Sequence, residues 1–215
     1  MTKPRDLLQF RLLKQAIQEE GIDFRAIDTN TKINHQNGYV EFNGRRIGLK
    51  YPKSYIEKIN ELPKQKIYDF CFIGHFEDKG RQELLQKYQS KNSYIKNSFN
   101  GRDPKVKYDF DTSYYSIICS TKYGLVPNHK GPWYDHDYAW SYRFIECVFA
   151  KSLPILFKET KLGKYFLKDY HYIWNDEFNF LGDDTYDNVV EQNYQKAINE
   201  FILQPEEIKD LTAMQ

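Results

Sequence analysis

Residues 120–157 read STKYGLVPNHKGPWYDHDYAWSYRFIECVFAKSLPILF. Three patterns follow one another in this stretch. YGLV, 123–126, is a short apolar run stopped by Pro127. SYRFIECVFA, 141–150, spaces its large residues at helical period, with Phe144, Ile145, Val148 and Phe149 on one face. The opposite face carries Arg143, Glu146, Cys147 and Ala150. LPILF, 153–157, is apolar again and short enough for a strand. Strand, long loop, helix and strand in that order make a βαβ unit, which implies parallel strands.

The same alternation extends both ways. Upstream, 68–73 (YDFCFI) reads as a strand ending at Gly74, 79–88 as a helix, 93–99 as a strand and 109–121 as a helix. Downstream, 162–168 reads as helical, 170–174 as extended and 186–203 as a long helix. The expected fold class is α/β: a Rossmann-like three-layer domain over 66–215 with a mainly parallel sheet. Residues 1–65 read as a small lobe. It has a helix over 4–20 closed by Gly21, a short alternating strand over 22–28, a hairpin turning at Asn43-Gly44 and a short helix over 54–62. Asn-Gly favours such a turn because its central positions need positive φ.

The 215 residues suffice for one sizeable core or a core with an appendage. Mean hydropathy is low at −0.76. Even so, 17% of residues are aromatic, and disordered chains are poor in aromatics. The formal net charge is +1, which argues against a dedicated nucleic-acid binder. Cys71, Cys119 and Cys147 each lie inside an apolar run, and no Cys-x-x-Cys spacing occurs. Buried free thiols are expected, in a reducing, cytoplasmic setting. No apolar run is long enough for a transmembrane segment, and the first residues lack a secretory h-region.

Parallel sheets bind ligands beyond the carboxyl ends of their strands. Candidate chemistry therefore belongs to Gly74-His75 after the first strand and to the loop from 127 to 140. A cation near a helix start is disfavoured by the dipole, so Arg143 is out of place unless an anion sits there. Its guanidinium and the helix N–H groups would then converge on a phosphate, with Ser141 as N-cap. Glu146, one turn further in, would accept from ribose hydroxyls. The alternative is an i, i+3 ion pair on a solvated face. His129, Asp135, His136 and Asp137 form an acid–imidazole cluster suited to a general base. Its spacing matches no strong metal pattern, and a solvated loop is the alternative. Gly74 permits close backbone approach to a ligand, with His75 beside it. Neither a GxGxxG nor a Walker A pattern occurs. Trp133, Tyr134, Tyr138 and Trp140 either stack on a sugar or base or cap the core from outside.

Residues 66–174 resemble the donor-binding region of exostosin-like glycosyltransferases. That family shows Ser-Lys-Phe/Tyr-Cys-Leu-x-Pro-x-Gly, then Ser-x-Arg-x-x-Glu, an apolar-small pair, Gly-x-Ile/Val-Pro-Val. Lys122, Tyr123, Leu125 and Pro127 match the first part, and Ser141, Arg143, Glu146, Ala150, Leu153, Pro154 and Ile155 the second. The run YDFCFIG with Arg81 downstream is similar to the first strand of the same domain. The resemblance implies the C-terminal half of a GT-B fold. Arg143 would hold the donor diphosphate, and Glu146 would contact its ribose or sugar. The implied donor set is Gly74, Arg81, Lys122, Pro127, Asn128, Ser141, Tyr142, Arg143 and Glu146. Candidates for the catalytic base are Asp135, His136, Asp137 and His75.

Three departures stand out. Lys151 replaces the family's Gly before the strand, Gly124 replaces its Cys, and only about 65 residues precede the region. Those residues make either a reduced acceptor lobe or a site that a partner chain or second copy completes. The implied activity is sugar transfer from a nucleoside diphosphate sugar to a hydroxyl of a glycan or lipid-linked acceptor, inverting and without a metal or other cofactor. Two other classes remain open from sequence: a non-catalytic nucleotide- or glycan-binding module, and a metal-dependent hydrolase built on the 129–137 cluster.

Overall fold

The computed structural model of the protein describes residues 4–27, 32–34, 39–42, 44–74, 79–97, 110–127, 141–158, 160 and 162–214. The chain divides into two compact units, Met1–Glu57 with Lys196–Gln215, and Lys58–Gln195. The sequence pattern assigns all of 66–215 to one domain. The tertiary contacts instead group the last twenty residues with the first unit.

In the first unit, helix α1 (Pro4–Glu19) buries Leu12, Leu13, Ala16 and Ile17. Gly21, at φ 74°, ends it with the left-handed turn that glycine makes cheaply. A strand was expected over 22–28, but the chain forms a one-turn helix, α2 (Phe24–Ile27). The Asp23 carboxylate accepts from Arg25 N at 2.9 Å and starts the turn. Ile27 is then fully buried while Ala26, the third residue of the alternating set, is exposed. Strands β1 (Lys32–Asn34), β2 (Tyr39–Phe42) and β3 (Arg45–Ile47) make an antiparallel meander. Phe42 pairs with Arg45, and Gly44 before Arg45 has φ 85°; Asn43, the other half of the expected turn, lies outside the described residues. Helix α3 (Lys53–Glu61) follows.

The second unit alternates strand and helix. In order come β4 (Tyr68–Gly74), α4 (Lys79–Gln89), β5 (Ser93–Asn97), α5 (Thr112–Cys119), β6 (Thr121–Val126), α6 (Tyr142–Phe149), β7 (Leu153–Leu156), α7 (Lys164–Asp169) and β8 (Ile173–Trp174). A long helix, α8 (Asp183–Phe201), follows, and α9 (Pro205–Thr212) closes the chain in the first unit. The five strands are ordered β5-β4-β6-β7-β8, every neighbouring pair parallel. The α/β, Rossmann-like class expected from the sequence is the class observed.

The strand order fixes the layers. The chain steps one way from β4 to β5, then back past β4 to β6. Right-handed crossovers place helices from opposite steps on opposite faces. One face packs Phe70, Phe72, Tyr123 and Leu125 against Leu85 and Tyr88 of α4 and Tyr186 and Val190 of α8. Side chains alternate along a strand, so Cys71 and Gly124 face the other way. There α6 approaches closely: a Cβ on Gly124 would run into Cys147 Sγ. Cys147, on the small-residue face of α6, meets β6 where glycine leaves room for it.

Helix α9 lies beyond the last element expected from the sequence pattern, 186–203. Its start is a capping box, in which the Gln204 side chain meets the Glu207 backbone and Glu207 accepts from Gln204 N at 2.9 Å. Lys50, 5% exposed, donates to Glu200 O (2.9 Å), Ile202 O (3.3 Å) and Glu207 Oε2 (2.7 Å). Leu203 and Leu211 share a core with Leu13, Ile17, Ile27 and Val40.

Candidate functional site

Strands β4 and β6 are neighbours whose following connections leave in opposite directions. Such a reversal opens a crevice at the carboxyl ends of the two strands, the usual ligand position in open α/β sheets. Gly74 ends β4, Pro127 follows β6, Arg81 lies in the first turn of α4, and Ser141, Tyr142 and Arg143 begin α6. Positions far apart in sequence are therefore brought to one edge by topology alone. Thr160 steadies that edge. Its hydroxyl donates to Val126 O at 2.7 Å and accepts from Phe157 N at 3.0 Å, tying the ends of β6 and β7.

Arg143 crosses this crevice. Its helix lies on the Gly124 face, yet Nη2 donates to Ile73 O at 2.6 Å and the guanidinium carbon sits 4.2 Å from the centroid of the Phe72 ring. Phe72 belongs to the opposite face, so the side chain passes over the sheet edge from one layer to the other. Gly74 makes room for it: a Cβ there would stand 2.5 Å from Arg143 Nη2 and 3.0 Å from Phe72 Cζ. A guanidinium has five N–H donors in a planar fork that suits a phosphate. Ser141 is the N-cap of α6 with extended φ and ψ, and no acidic residue stands in the first turn. The positive end of the helix and the guanidinium thus share one edge.

Glu146 turns elsewhere. It is 3% exposed, and two phenols of α5 address its carboxylate: Tyr114 Oη donates to Oε2 at 2.6 Å and Tyr115 Oη to Oε1 at 3.4 Å. The i, i+3 ion pair weighed from sequence is therefore not what occupies these charges. Arg143 meets β4, and Glu146 meets α5.

Lys122 is the expected donor residue that the fold takes away. It is the second residue of β6, at the amino edge of the sheet, roughly 13 Å along the strand from Val126 at the usual rise per residue. Its ammonium lies 3.1 Å from Asp183 Oδ1, and its carbonyl accepts from Tyr186 Oη at 2.7 Å. Arg81 is buried at 5% exposure, and Pro127 is buried. His75, Asn128, Asp135, His136 and Asp137 lie outside the described residues, as do His129, Trp133, Tyr134, Tyr138 and Trp140. Among the described residues there is no group of three or more His, Cys, Asp or Glu able to hold a metal ion. Sequence reasoning missed Phe72, Ile73, Tyr114 and Tyr115. The last two were visible only as residues of the expected helix over 109–121, with nothing local to name their partner.

The three cysteines are free and buried, as expected. Burial pushes the Cys71 thiol up to about 11 and the Cys147 thiol well above its usual range. Neither is poised as a nucleophile at neutral pH. Lys66 caps the far edge, donating to Cys119 O (2.9 Å), Thr121 O (3.0 Å) and Lys151 O (2.9 Å). Burial lowers its pKa to about 8.

No protein-family model matches the chain, and no curated protein matches it in sequence. Among solved structures, the crystal structure of the GtfA/B complex is similar at a TM-score of 0.36 and 11% identity, over 69% of this chain and 35% of that one. This chain thus spans about a third of that chain's length. Among the described residues, no helix is long and apolar enough to cross a membrane.

Proposed function

We propose that the second unit binds a nucleoside diphosphate sugar, and that the protein is a glycosyltransferase acting on a hydroxyl of a glycan or lipid-linked acceptor. The observation that carries this reading is Arg143. Its guanidinium lies across the β4/β6 crevice, 2.6 Å from Ile73 O, at the start of the same helix whose N–H groups face that edge. The exostosin-like pattern of Ser141, Arg143 and Glu146 supports the same assignment. In the proposed reaction a base takes the acceptor proton, the acceptor oxygen bonds to the anomeric carbon with inversion, and the bond to the diphosphate breaks. Negative charge that develops on the leaving diphosphate is met by Arg143 and the α6 N–H groups, an electrostatic role. Asp135, His136, Asp137 and His75 are the residues proposed for the base. The resemblance implies a reaction without a bound metal, and a chelator is expected to leave turnover unchanged.

A thermal-shift screen of UDP, GDP, TDP and CMP on wild type and Arg143→Ala tests the reading. A ligand at a hundred times its Kd adds about 2.7 kcal/mol, or roughly 5–10 °C for a chain of this size. One diphosphate is expected to raise Tm in wild type and not in the variant. No shift with any diphosphate at millimolar concentration overturns it. Binding without turnover of the corresponding sugar donor favours a nucleotide-binding module, or a transferase half completed by a partner chain.

A further inference from the structure

Glu146 is a buried charge that needs a reason. Burying a carboxylate is costly unless donors meet it. Among the described residues, two consecutive phenols in the first turn of α5 donate to Glu146, from a helix end fixed by Asp111, whose carboxylate accepts from Tyr114 N at 3.0 Å. The phenols are themselves held. The Tyr115 ring stacks on Phe110 at 4.8 Å and 7°, and meets the Tyr114 ring edge-on at 5.3 Å. Arg143 and Glu146 belong to the same eight-residue helix, one turn apart. A helix is stiff over one turn, so fixing Glu146 fixes the rotation of α6 about its axis. That rotation sets the direction in which Arg143 leaves. Functional contacts of this kind tolerate only about 0.5 Å or 10–20° of misplacement.

We propose that Glu146 is a positioning residue for Arg143 rather than a ligand of the nucleoside. Clamped by Tyr114 and Tyr115, it holds α6 at the rotation that aims the guanidinium across the crevice. The inference rests on the reading of that crevice as a diphosphate site. The two roles differ in what they recognise. A carboxylate that binds ribose acts on nucleoside diphosphates and ignores inorganic pyrophosphate. A carboxylate that aims Arg143 acts on the diphosphate itself, and so on both ligands alike.

Calorimetric titration of the full chain with UDP, GDP, TDP and inorganic pyrophosphate separates the roles. The proteins compared are wild type, Glu146→Gln, Tyr114→Phe, Arg143→Ala and the Tyr114→Phe/Arg143→Ala pair. Glu146→Gln and Tyr114→Phe are each expected to weaken the bound nucleoside diphosphate and pyrophosphate by about tenfold and by the same factor. Tyr114→Phe is expected to add nothing once Arg143 is gone. A loss confined to the nucleoside diphosphate overturns the inference, as does unchanged affinity. Tighter binding in Tyr114→Phe also overturns it, since the phenol would then compete with ligand. If Glu146→Gln fails to fold, Tyr114→Phe carries the comparison, because it keeps both the carboxylate and Tyr115. Failure of wild type to bind any probe removes the diphosphate site and the inference together; binding with the wrong pattern removes the inference alone.

Discussion

Two residues carry most of the consequence. Gly74 is the gap through which Arg143 passes, and the atom that a new Cβ would strike first is the far end of a flexible side chain. Gly74→Ala is therefore expected to fold, with stability changed by about 1–2 kcal/mol, while the displaced guanidinium loses its place. The diphosphate-induced rise in Tm should fall to that of Arg143→Ala; a full rise in the alanine variant would show that the crevice does not need the gap. Cys71 makes a separate prediction. Burial first, against weaker opposing effects of Thr121, Arg143 and Lys66, raises its thiol from 9.0 to about 11. A raised folded-state pKa gives stability that is full below the unfolded value and lost as pH climbs through the folded one. The stability gap between wild type and Cys71→Ala is thus expected to shrink between about pH 9 and 11, on the order of 2–3 kcal/mol. Lys66 runs the other way, its penalty easing above about pH 8, and because Lys66 and Cys147 interact electrostatically with Cys71, the gap reads the thiol together with those couplings. Urea melts at stepped pH check it, and a constant gap rules it out.

At the scale of elements, α6 carries both the guanidinium of the crevice and the carboxylate that is clamped behind it. Its end is as informative as its start. Lys151 N donates to Val148 O at 3.1 Å, and Ser152 N to Cys147 O at 2.9 Å, the paired bonds of a Schellman ending. That ending needs a left-handed residue, and Lys151 supplies it at φ 51° without being glycine. Its ammonium is paired with Glu191 at 2.5 Å and lies 4.6 Å from the Tyr194 ring centroid, contacts that offset the backbone strain. Lys151→Ala loses the contacts and keeps the strain; Lys151→Gly loses both. The glycine variant is expected to be the more stable of the two by about 1 kcal/mol. Equal melting temperatures would mean that the turn carries no strain.

Across the whole molecule, the chain's last residues belong with its first. Leu211 is fully buried in the core formed by Leu13, Ile17, Ile27, Val40 and Leu203. Leu211→Ala is expected to cost about 2–5 kcal/mol. In hydrogen exchange the lost protection should fall on α1, β2 and α9. Equal loss in β4 and β6 would contradict the division into units.

What the sequence determined by itself was the alternation of strands and helices from 68 to 174 and the parallel sheet it implies. Those features follow from local spacing of apolar residues. The β2–β3 hairpin with its Gly44, the Gly21 helix stop and the three buried thiols were legible for the same reason, and Arg143 drew attention because a cation at a helix start contradicts a local rule. Short segments were harder: 22–28 has two overlapping apolar periods, and the Asp23 turn with the burial of Ile27 selected the helical one. The amino-edge place of Lys122 follows from its position just before the YGLV run. Tertiary structure alone decided the rest. The order β5-β4-β6-β7-β8 put Gly74 and Arg143 on one crevice, because which strands are neighbours is not written in any one of them. It also gave Glu146 to Tyr114 and Tyr115, since a buried carboxylate takes whichever donors the packing brings to it, and no spacing within one helix names a partner on another.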